Sequence, residues 1–188
     1  VVDQRPIAEL LHGAAVDRMG RSLLMVLDEL GASPSVVFTP EHGLEGVAQA
    51  EEPVPSGEPG EGPLVVSLYG SSKESLEPTA EQLSQLDVLV IDLVDVGSRY
   101  YTYAWSALLA ARAAAKAGVH VVILDRPNPI SGDPTTLEGA PQKEGFLSFV
   151  GLEPLPIRHA LTLGELVALF AERDGLPLGP EGALSVVP

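Results

Sequence analysis

Short apolar runs alternate with helix-like segments along most of this chain, and this alternation is the feature that most restricts its fold. The strand-like runs are Ile7 to Leu11, Ser35 to Phe38, Val65 to Tyr69, Asp87 to Asp92 and Val119 to Leu124. Apolar strands separated by helices are typical of a parallel sheet that is covered on both faces. The sequence therefore predicts an α/β fold built on a doubly wound, mostly parallel, Rossmann-like sheet.

Helix signals lie between these runs. Ser22 precedes a mostly apolar segment that Gly31 ends, which predicts a helix capped by the Ser22 hydroxyl. Thr162, with Glu165 three residues later, forms a capping-box pattern at the start of another helix. The remaining predicted helices run from Pro78 through Leu86 and from Thr102 to Ala117, and the helix that Thr162 opens ends near Arg173.

The length of the chain sets the number of domains. With 188 residues, the chain is long enough for one domain. Residues 44–63 are rich in Gly, Pro and Glu, and this composition predicts a long mobile loop inside that domain. Residues 183–188 resemble a strand that begins where the chain stops. We therefore expect residues 1–188 to be a single domain of a longer protein.

Acidic residues dominate the charge of the chain. It carries 26 Asp and Glu against 11 Lys and Arg, a formal net charge of −15. Such a surface repels phosphate backbones, so a nucleic-acid partner is not expected. The absence of Cys excludes disulfides, thiol catalysis and thiolate metal sites. No apolar run reaches the ~20 residues of a membrane-spanning helix, so we expect no membrane span.

Three common kinds of site lack their sequence motifs here. Nucleotide binding needs a glycine-rich turn after a strand, and the chain has neither the dinucleotide fingerprint nor a phosphate-binding loop. A serine nucleophile needs a Gly-x-Ser-x-Gly elbow, which Gly70-Ser71-Ser72 does not complete. The histidines, His12, His42, His120 and His159, are scattered without a metal-binding spacing. We therefore expect no cofactor and no metal, and we interpret His120, inside a strand, as a hydrogen-bonded structural residue.

A glutamate and a histidine follow the second predicted strand directly, in the segment Thr39-Pro40-Glu41-His42-Gly43. A glutamate partly removed from water at such a position can act as a general acid. Asp92 and Asp95 follow the fourth strand, and polar groups at the ends of several parallel strands build the site of an open α/β sheet. Glycoside hydrolysis needs such an acid, together with a second carboxylate or the sugar's own 2-acetamido group. These residues favour an enzyme that uses carboxylate chemistry.

Two features of the predicted site leave alternatives open. Asp95 either faces the cleft or only closes the turn Asp95-Val96-Gly97 by bonding its own backbone. Arg99, Arg126 and Arg158 either have structural roles or clamp a carboxylate on the substrate, since a guanidinium group matches a planar anion. In so acidic a chain, this basic cluster favours an anionic ligand.

Longer motifs follow one another along the chain in a recognisable order. They are Thr39 to Gly43, Ser67 to Gly70, Asp92 to Tyr103, Leu124 to Gly132, Ser148 to Gly151, and Ile157 to His159 followed by Thr162 to Glu165. In this order they resemble the exo-β-N-acetylmuramidase family, over most of residues 16–170. The resemblance implies a Rossmann-like N-terminal domain and a smaller C-terminal domain, absent from this chain, with the active site in the cleft between them.

The resemblance also implies an activity. It is the hydrolysis of β-linked N-acetylmuramic acid from the non-reducing end of peptidoglycan fragments, in cell-wall recycling, with Glu41 as the catalytic acid. The substrate would be a muropeptide or amino sugar whose lactyl carboxylate an arginine holds. The expected catalytic residues are Glu41 and Asp92, and the expected substrate-binding residues are His42, Asp95, Arg99, Tyr101, Tyr103, Arg126, Asn128 and His159.

The chain departs from the family pattern at three positions that are usually polar. They are occupied by Leu11, Val47 and Val94. These substitutions favour a second hypothesis, a non-catalytic relative that binds an amino sugar or has a structural role. In an enzyme, we expect Glu41, Asp92 and Arg126 to line one cleft.

Overall fold

A computed structural model describes residues 6–44, 62–70, 72–179 and 181–188. Its centre is a sheet of six strands in the order β3-β2-β1-β4-β5-β6, with every neighbouring pair parallel. This order is that of a Rossmann fold, so the predicted α/β class is confirmed. The strands are β1 (Ile7–Leu11), β2 (Val36–Thr39), β3 (Leu64–Ser67), β4 (Val88–Asp92), β5 (His120–Leu124) and β6 (Leu184–Val187).

The predicted strands are all present, with ends that differ from the prediction by no more than two residues. The strand with the weakest sequence signal, β1, lies between β2 and β4 near the middle of the sheet. The strand expected at residues 183–188 forms as β6 and pairs with β5 along its length. Parallel neighbours on both sides explain why the inner strands are short apolar runs.

Helices flank the sheet: α1 (Leu23–Glu29), α2 (Ala80–Leu83), α3 (Tyr103–Lys116) and α4 (Leu163–Arg173). The Ser22 cap and the Thr162 capping box are confirmed. The helix predicted from Pro78 through Leu86 is wrong in extent, because α2 is a single turn. Thr79 starts it with a capping box to Gln82, and the Ser84 hydroxyl bonds the Glu81 carbonyl, which competes with continuation of the helix.

One face of the sheet carries the hydrophobic core. Alternate strand residues on this face are almost fully buried, among them Leu10, Phe38 and Ile91. Helices α3 and α4 contact each other, and their residues join the sheet residues in one buried cluster. Trp105 of α3 and Phe170 of α4 lie with their ring centroids 6.4 Å apart. The core therefore fixes the start of α3, which leads directly to the site.

The opposite face of the sheet is covered less completely. Val90 and Val122 on this face are only half-buried, and α1 contributes no buried residue. Near the middle of the sheet this face is closed, because Glu9 of β1 and Val37, in register with it, are both fully buried. Neither of the Glu9 carboxyl oxygens has a hydrogen-bond partner among the described residues. Burial, with a contribution from Asp92, raises the pKa of Glu9 to about 7.

Two further expectations concern the chain outside this sheet. The mobile loop predicted at residues 44–63 lies almost entirely outside the described residues. Among the helices that the structure describes, none is long and apolar enough to cross a lipid bilayer.

Candidate active site

The carboxyl ends of the parallel strands meet at one edge of the sheet, and they bring several of the predicted groups there. Glu41 follows β2 by two residues, and Tyr69 follows β3 by two residues. Asp92 is the last residue of β4, and the segment 93–102 leads from it to α3. The site is therefore built from the ends of neighbouring strands and from the start of one long helix.

Glu41 is held by the first residues of α3. Its side chain is buried, with 7% of the residue exposed. The Thr102 hydroxyl donates to Glu41 Oε2 at 2.8 Å, and the Tyr103 hydroxyl donates to the Glu41 backbone carbonyl at 3.2 Å. Thr102 is the N-cap of α3 and makes no side-chain cap bond, so its hydroxyl serves the carboxylate instead. The position of Glu41 is thus fixed at both its backbone and its side chain.

A cavity of about 530 Å³ opens over Glu41. Its walls combine aromatic rings with a few polar groups. The lining residues are Glu41, His42, Tyr69, Tyr100, Tyr101, Thr102, Ser148, Phe149 and Val150. The rings of Tyr69 and Phe149 lie 5.9 Å apart and form one wall. Aromatic faces beside a single buried carboxyl group suit a ligand that has both apolar faces and hydroxyl groups.

His42 has an unusual backbone conformation. Its φ of 72° lies in the left-handed region, as does the φ of 73° at the following Gly43. A residue with a side chain pays an energetic cost there, and such residues cluster at functional sites. His42 is half-buried and lines the cavity beside Glu41. The turn after β2 therefore presents two titratable side chains in succession.

Two tyrosines and a histidine pack against one another beside the cavity, and Tyr101 is also part of its lining. The Tyr101 and Tyr103 rings are 4.6 Å apart, and His12 meets Tyr103 edge-on at 4.7 Å. His12 Nε2 accepts a hydrogen bond from the Val94 backbone N–H at 3.0 Å, which links the ends of β1 and β4. Burial lowers the pKa of His12 and raises the pKa of both tyrosines. All three side chains are therefore held neutral near pH 7.

Asp92 and Arg126 pair with each other on a different cavity. Arg126 donates to Asp92 Oδ1 from Nη2 at 2.7 Å and from Nε at 3.2 Å. Both residues line a cavity of about 360 Å³ together with Leu23, Val26 and Leu124. Glu41 lines the first cavity and not this one. Among the cavities lined by described residues, Glu41 and the Asp92–Arg126 pair thus lie on two different ones, whereas the sequence analysis expected an enzyme to have them in one cleft.

Asp95 forms the predicted turn and also faces a buried histidine. Its Oδ2 accepts from the Gly97 backbone N–H at 2.7 Å and lies 4.0 Å from His159 Nε2. Asp95 Oδ1 and His159 Nε2 have no hydrogen-bond partner among the described residues. Burial raises the pKa of Asp95 and lowers the pKa of His159. The two side chains therefore face each other away from water, next to the tyrosine pair.

Other predicted binding residues hold the backbone together. Asn128 accepts from the backbone N–H groups of residues 130 and 131 and donates to the Leu161 carbonyl. Arg99 donates to the carbonyls of Ala140 and Leu155, and Arg158 lies 3.6 Å from Glu138. The predicted arginine clamp is therefore not assembled in this structure. His120, as predicted, is hydrogen-bonded within the fold, to the Gly182 carbonyl and to the Ser185 hydroxyl.

Metal ligation has no support in the described part of the chain. No group of three or more His, Asp or Glu side chains there is arranged to hold a metal ion. One ring nitrogen of His12 and one of His159 accept backbone N–H bonds, which leaves each ring with a single nitrogen for any other partner.

Comparison with known proteins connects this geometry to a family. Residues 7–188 match the family model described as exo-beta-N-acetylmuramidase NamZ, N-terminal. The chain belongs to this family. The resemblance seen in the sequence motifs is thereby confirmed, and the match extends through β6.

Relatives and solved structures agree with the family assignment. The chain is 42% identical over 154 residues to the peptidoglycan beta-N-acetylmuramidase NamZ of Bacillus subtilis (strain 168), covering 79% of this chain and 36% of that protein. Crystal structures of two DUF1343 family proteins from Bacteroides fragilis NCTC 9343 superpose with TM-scores of 0.81 and 0.72, at 33% and 28% identity. They cover 98% and 99% of this chain, which spans 45% and 46% of theirs.

Some residues of the cavity have no local sequence signal that marks them as part of a site. The sequence identifies Thr102 as the start of a helix, but it gives no sign that the Thr102 hydroxyl binds Glu41. Ser148, Phe149 and Val150 belong to a motif of the family resemblance, yet nothing local to that motif indicates that it forms a wall of the cavity. Tyr100 also lines the cavity, and its place between Arg99 and Tyr101 in a matched motif was the signal available.

The turn at Gly97 gives a stability prediction. Gly97 has a φ of +78°, and a Cβ there would collide with Asn128 Oδ1 and lie 2.7 Å from Ile130 Cγ1. We expect Gly97→Ala to lower the free energy of unfolding by about 1–3 kcal/mol, from backbone strain and from displacement of the Asn128 bonds. Urea unfolding of the full-length protein measures the change. Gly132→Ala is the matched control, because a Cβ there meets nothing within 4 Å; equal effects at both positions would refute the steric argument.

Proposed function

We propose that this chain forms the N-terminal part of an exo-acting β-N-acetylmuramidase, with Glu41 as its general acid. The substrate is a peptidoglycan fragment that carries N-acetylmuramic acid at its non-reducing end. The observation that carries the proposal is the Glu41 carboxyl group, buried at the end of β2 and held by Thr102 in an aromatic-lined cavity. Membership of the family supplies the class of reaction.

The chemistry follows from the position of Glu41. In its protonated form, the carboxyl group donates a proton to the glycosidic oxygen as the bond to the anomeric carbon breaks. The Thr102 hydroxyl holds one carboxyl oxygen, so the group keeps one orientation during proton transfer. The rings of Tyr69, Tyr100 and Phe149 offer apolar surfaces to the faces of a sugar.

Asp92 enters this proposal in a structural role. The sequence suggested it as a second catalytic carboxylate, and that role stays a prediction. Its side chain is 4% exposed and ion-paired with Arg126 at 2.7 Å on the other cavity. A carboxylate engaged in this way supports the junction of β4 and β5. Within the described residues, the cavity over Glu41 thus has one carboxylate, and the 2-acetamido group of the sugar is the alternative second participant.

The proposal is tested by hydrolysis with the full-length protein. We expect it to release 4-nitrophenol from the β-N-acetylmuramide and to remove single N-acetylmuramic acid units from the non-reducing end of peptidoglycan fragments. The α-anomeric glycoside and fragments blocked at that end serve as controls and should stay intact. Folded protein that binds these sugars without cleaving them would favour the non-catalytic relative, for which Leu11 and Val94 are the departures within the described residues.

A further inference from the structure

The cavity over Glu41 is poor in positive charge. Its described lining contains one carboxylate, one histidine and otherwise neutral side chains, with no lysine or arginine. A substrate that carries its own carboxylate loses water from that group when it enters the cavity. A partly dehydrated carboxylate without a partner costs free energy, so such a substrate needs a hydrogen-bond donor or a cation that faces it.

The arginines expected to supply that cation are engaged elsewhere. Arg126 pairs with Asp92 on the second cavity, Arg99 binds two backbone carbonyls, and Arg158 lies beside Glu138. The sequence itself limits the other sources, since residues 22–72 contain neither lysine nor arginine. The stretch of chain that carries Glu41 thus brings no such cation of its own.

His42 is the residue of the described lining that can supply a positive charge as well as a donor, since the other donor side chains there are hydroxyl groups. Its imidazole offers one N–H donor when neutral and two donors with a positive charge when protonated. It adjoins Glu41 in sequence and lines the same cavity. Its φ of 72° is one of two left-handed conformations at non-glycine positions among the described residues, the other being Ala160. A strained backbone that places a donor in a cavity is a common device of binding sites.

We propose that His42 recognises the lactyl carboxylate of the terminal N-acetylmuramic acid and thereby sets the specificity of the site. The inference rests on the proposed function and adds to it the residue that distinguishes the sugar. N-acetylmuramic acid differs from N-acetylglucosamine by the lactyl ether on O3, so its carboxylate is the feature to be read. An imidazole N–H bound to that carboxylate replaces hydrogen bonds that the carboxylate loses from water.

The readout is the ratio of two specificity constants in one preparation of the full-length protein. The ratio is kcat/KM for the 4-nitrophenyl β-N-acetylmuramide divided by kcat/KM for the 4-nitrophenyl β-N-acetylglucosaminide. His42→Asn is the informative variant, because asparagine tolerates a left-handed backbone and cannot become cationic. We expect this ratio to decrease by about 10-fold to 100-fold, which is the usual effect of losing a hydrogen bond to a charged group. His42→Gly, which also accepts this φ, should lower the ratio at least as much.

Two further variants test the competing source of charge. Lys143 lies on the segment that leads to Ser148 and Phe149, and Arg158 was a member of the expected clamp. If Lys143→Gln or Arg158→Gln lowers the ratio as much as His42→Asn, the inference is wrong and a surface cation reads the carboxylate. An unchanged ratio in both His42 variants, with circular dichroism like that of the wild type, also overturns it.

The inference and the proposed function fail in different ways. Absence of hydrolysis of both glycosides by the wild-type protein counts against the proposed function. Calorimetric titration with N-acetylmuramic acid and with its methyl ester then still decides the inference. We expect the wild type to bind the free acid more tightly than the ester, and His42→Asn to lose that difference. Equal affinities for acid and ester in the wild type would refute a role for His42 in reading the carboxylate.

Discussion

Replacement of Glu41 by glutamine should lower kcat for 4-nitrophenyl β-N-acetylmuramide by between about 10²-fold and 10⁴-fold, the usual contribution of a general acid. Glutamine has the shape of glutamate, and its amide oxygen can still accept the hydrogen bond that Thr102 now donates to Glu41 Oε2. The fold around the start of α3 should therefore persist while the transferable proton is lost. Steady-state kinetics with the full-length protein give the size of the effect.

The leaving group identifies which role the lost carboxyl group had. A 2,4-dinitrophenolate departs without protonation, so Glu41→Gln should impair that substrate far less than a natural disaccharide if Glu41 is the acid. Glu172→Gln, on the exposed side of α4, is the matched control for a change of one charge. Equal losses on good and poor leaving groups would point to a nucleophile instead. Retention of normal kcat in Glu41→Gln would exclude Glu41 from the chemistry.

The sequence predicted the fold well because its information is local. A strand of a buried parallel sheet must be apolar over its own length, and Val88–Asp92 shows this directly. Caps such as Ser22 and Thr162 bind backbone groups three residues away, so their signals are also complete within a few residues. The strand ends then place Glu41 at the edge of the sheet by geometry alone. These features need no knowledge of distant partners.

The partners of polar side chains were harder to predict, because they come from far along the chain. Thr102 meets Glu41 across 61 positions and Arg126 meets Asp92 across 34. An arginine near a strand end can bind a substrate carboxylate or form a structural ion pair equally well. Its residue type alone therefore does not show which of the two roles it has. Arg99 is an example of a structural role, because its guanidinium group donates hydrogen bonds to two backbone carbonyls. Local sequence indicates which groups are available but not which groups pair.

Glu9 contradicts the local pattern, and its burial leads to the second large effect. The carboxyl group is fully buried, and its oxygens have no partner among the described residues. Its pKa in the folded protein is raised to about 7 from an ordinary 4.5. Between these two pH values the folded state binds more protons than the unfolded state, so stability falls as pH rises. Above pH 7 the cost levels off at about 3 kcal/mol, from 1.36 kcal/mol for each pH unit of difference.

Glu9→Gln should remove this cost without changing the shape of the side chain. We expect the variant to match the wild type below about pH 3.5, where Glu9 is protonated in both states, and to exceed it by about 3 kcal/mol at pH 8. Melting temperatures of the full-length protein, measured across that pH range, give the difference. Glu172→Gln on exposed α4 is the control, because it alters no buried charge. A loss of stability at pH 8 would mean that the Glu9 carboxylate is stabilised by a group outside the described residues. A gain that is independent of pH would mean that the titration of Glu9 does not cause it. The pH dependence thus distinguishes a buried, uncompensated carboxyl group from one that the complete protein pairs.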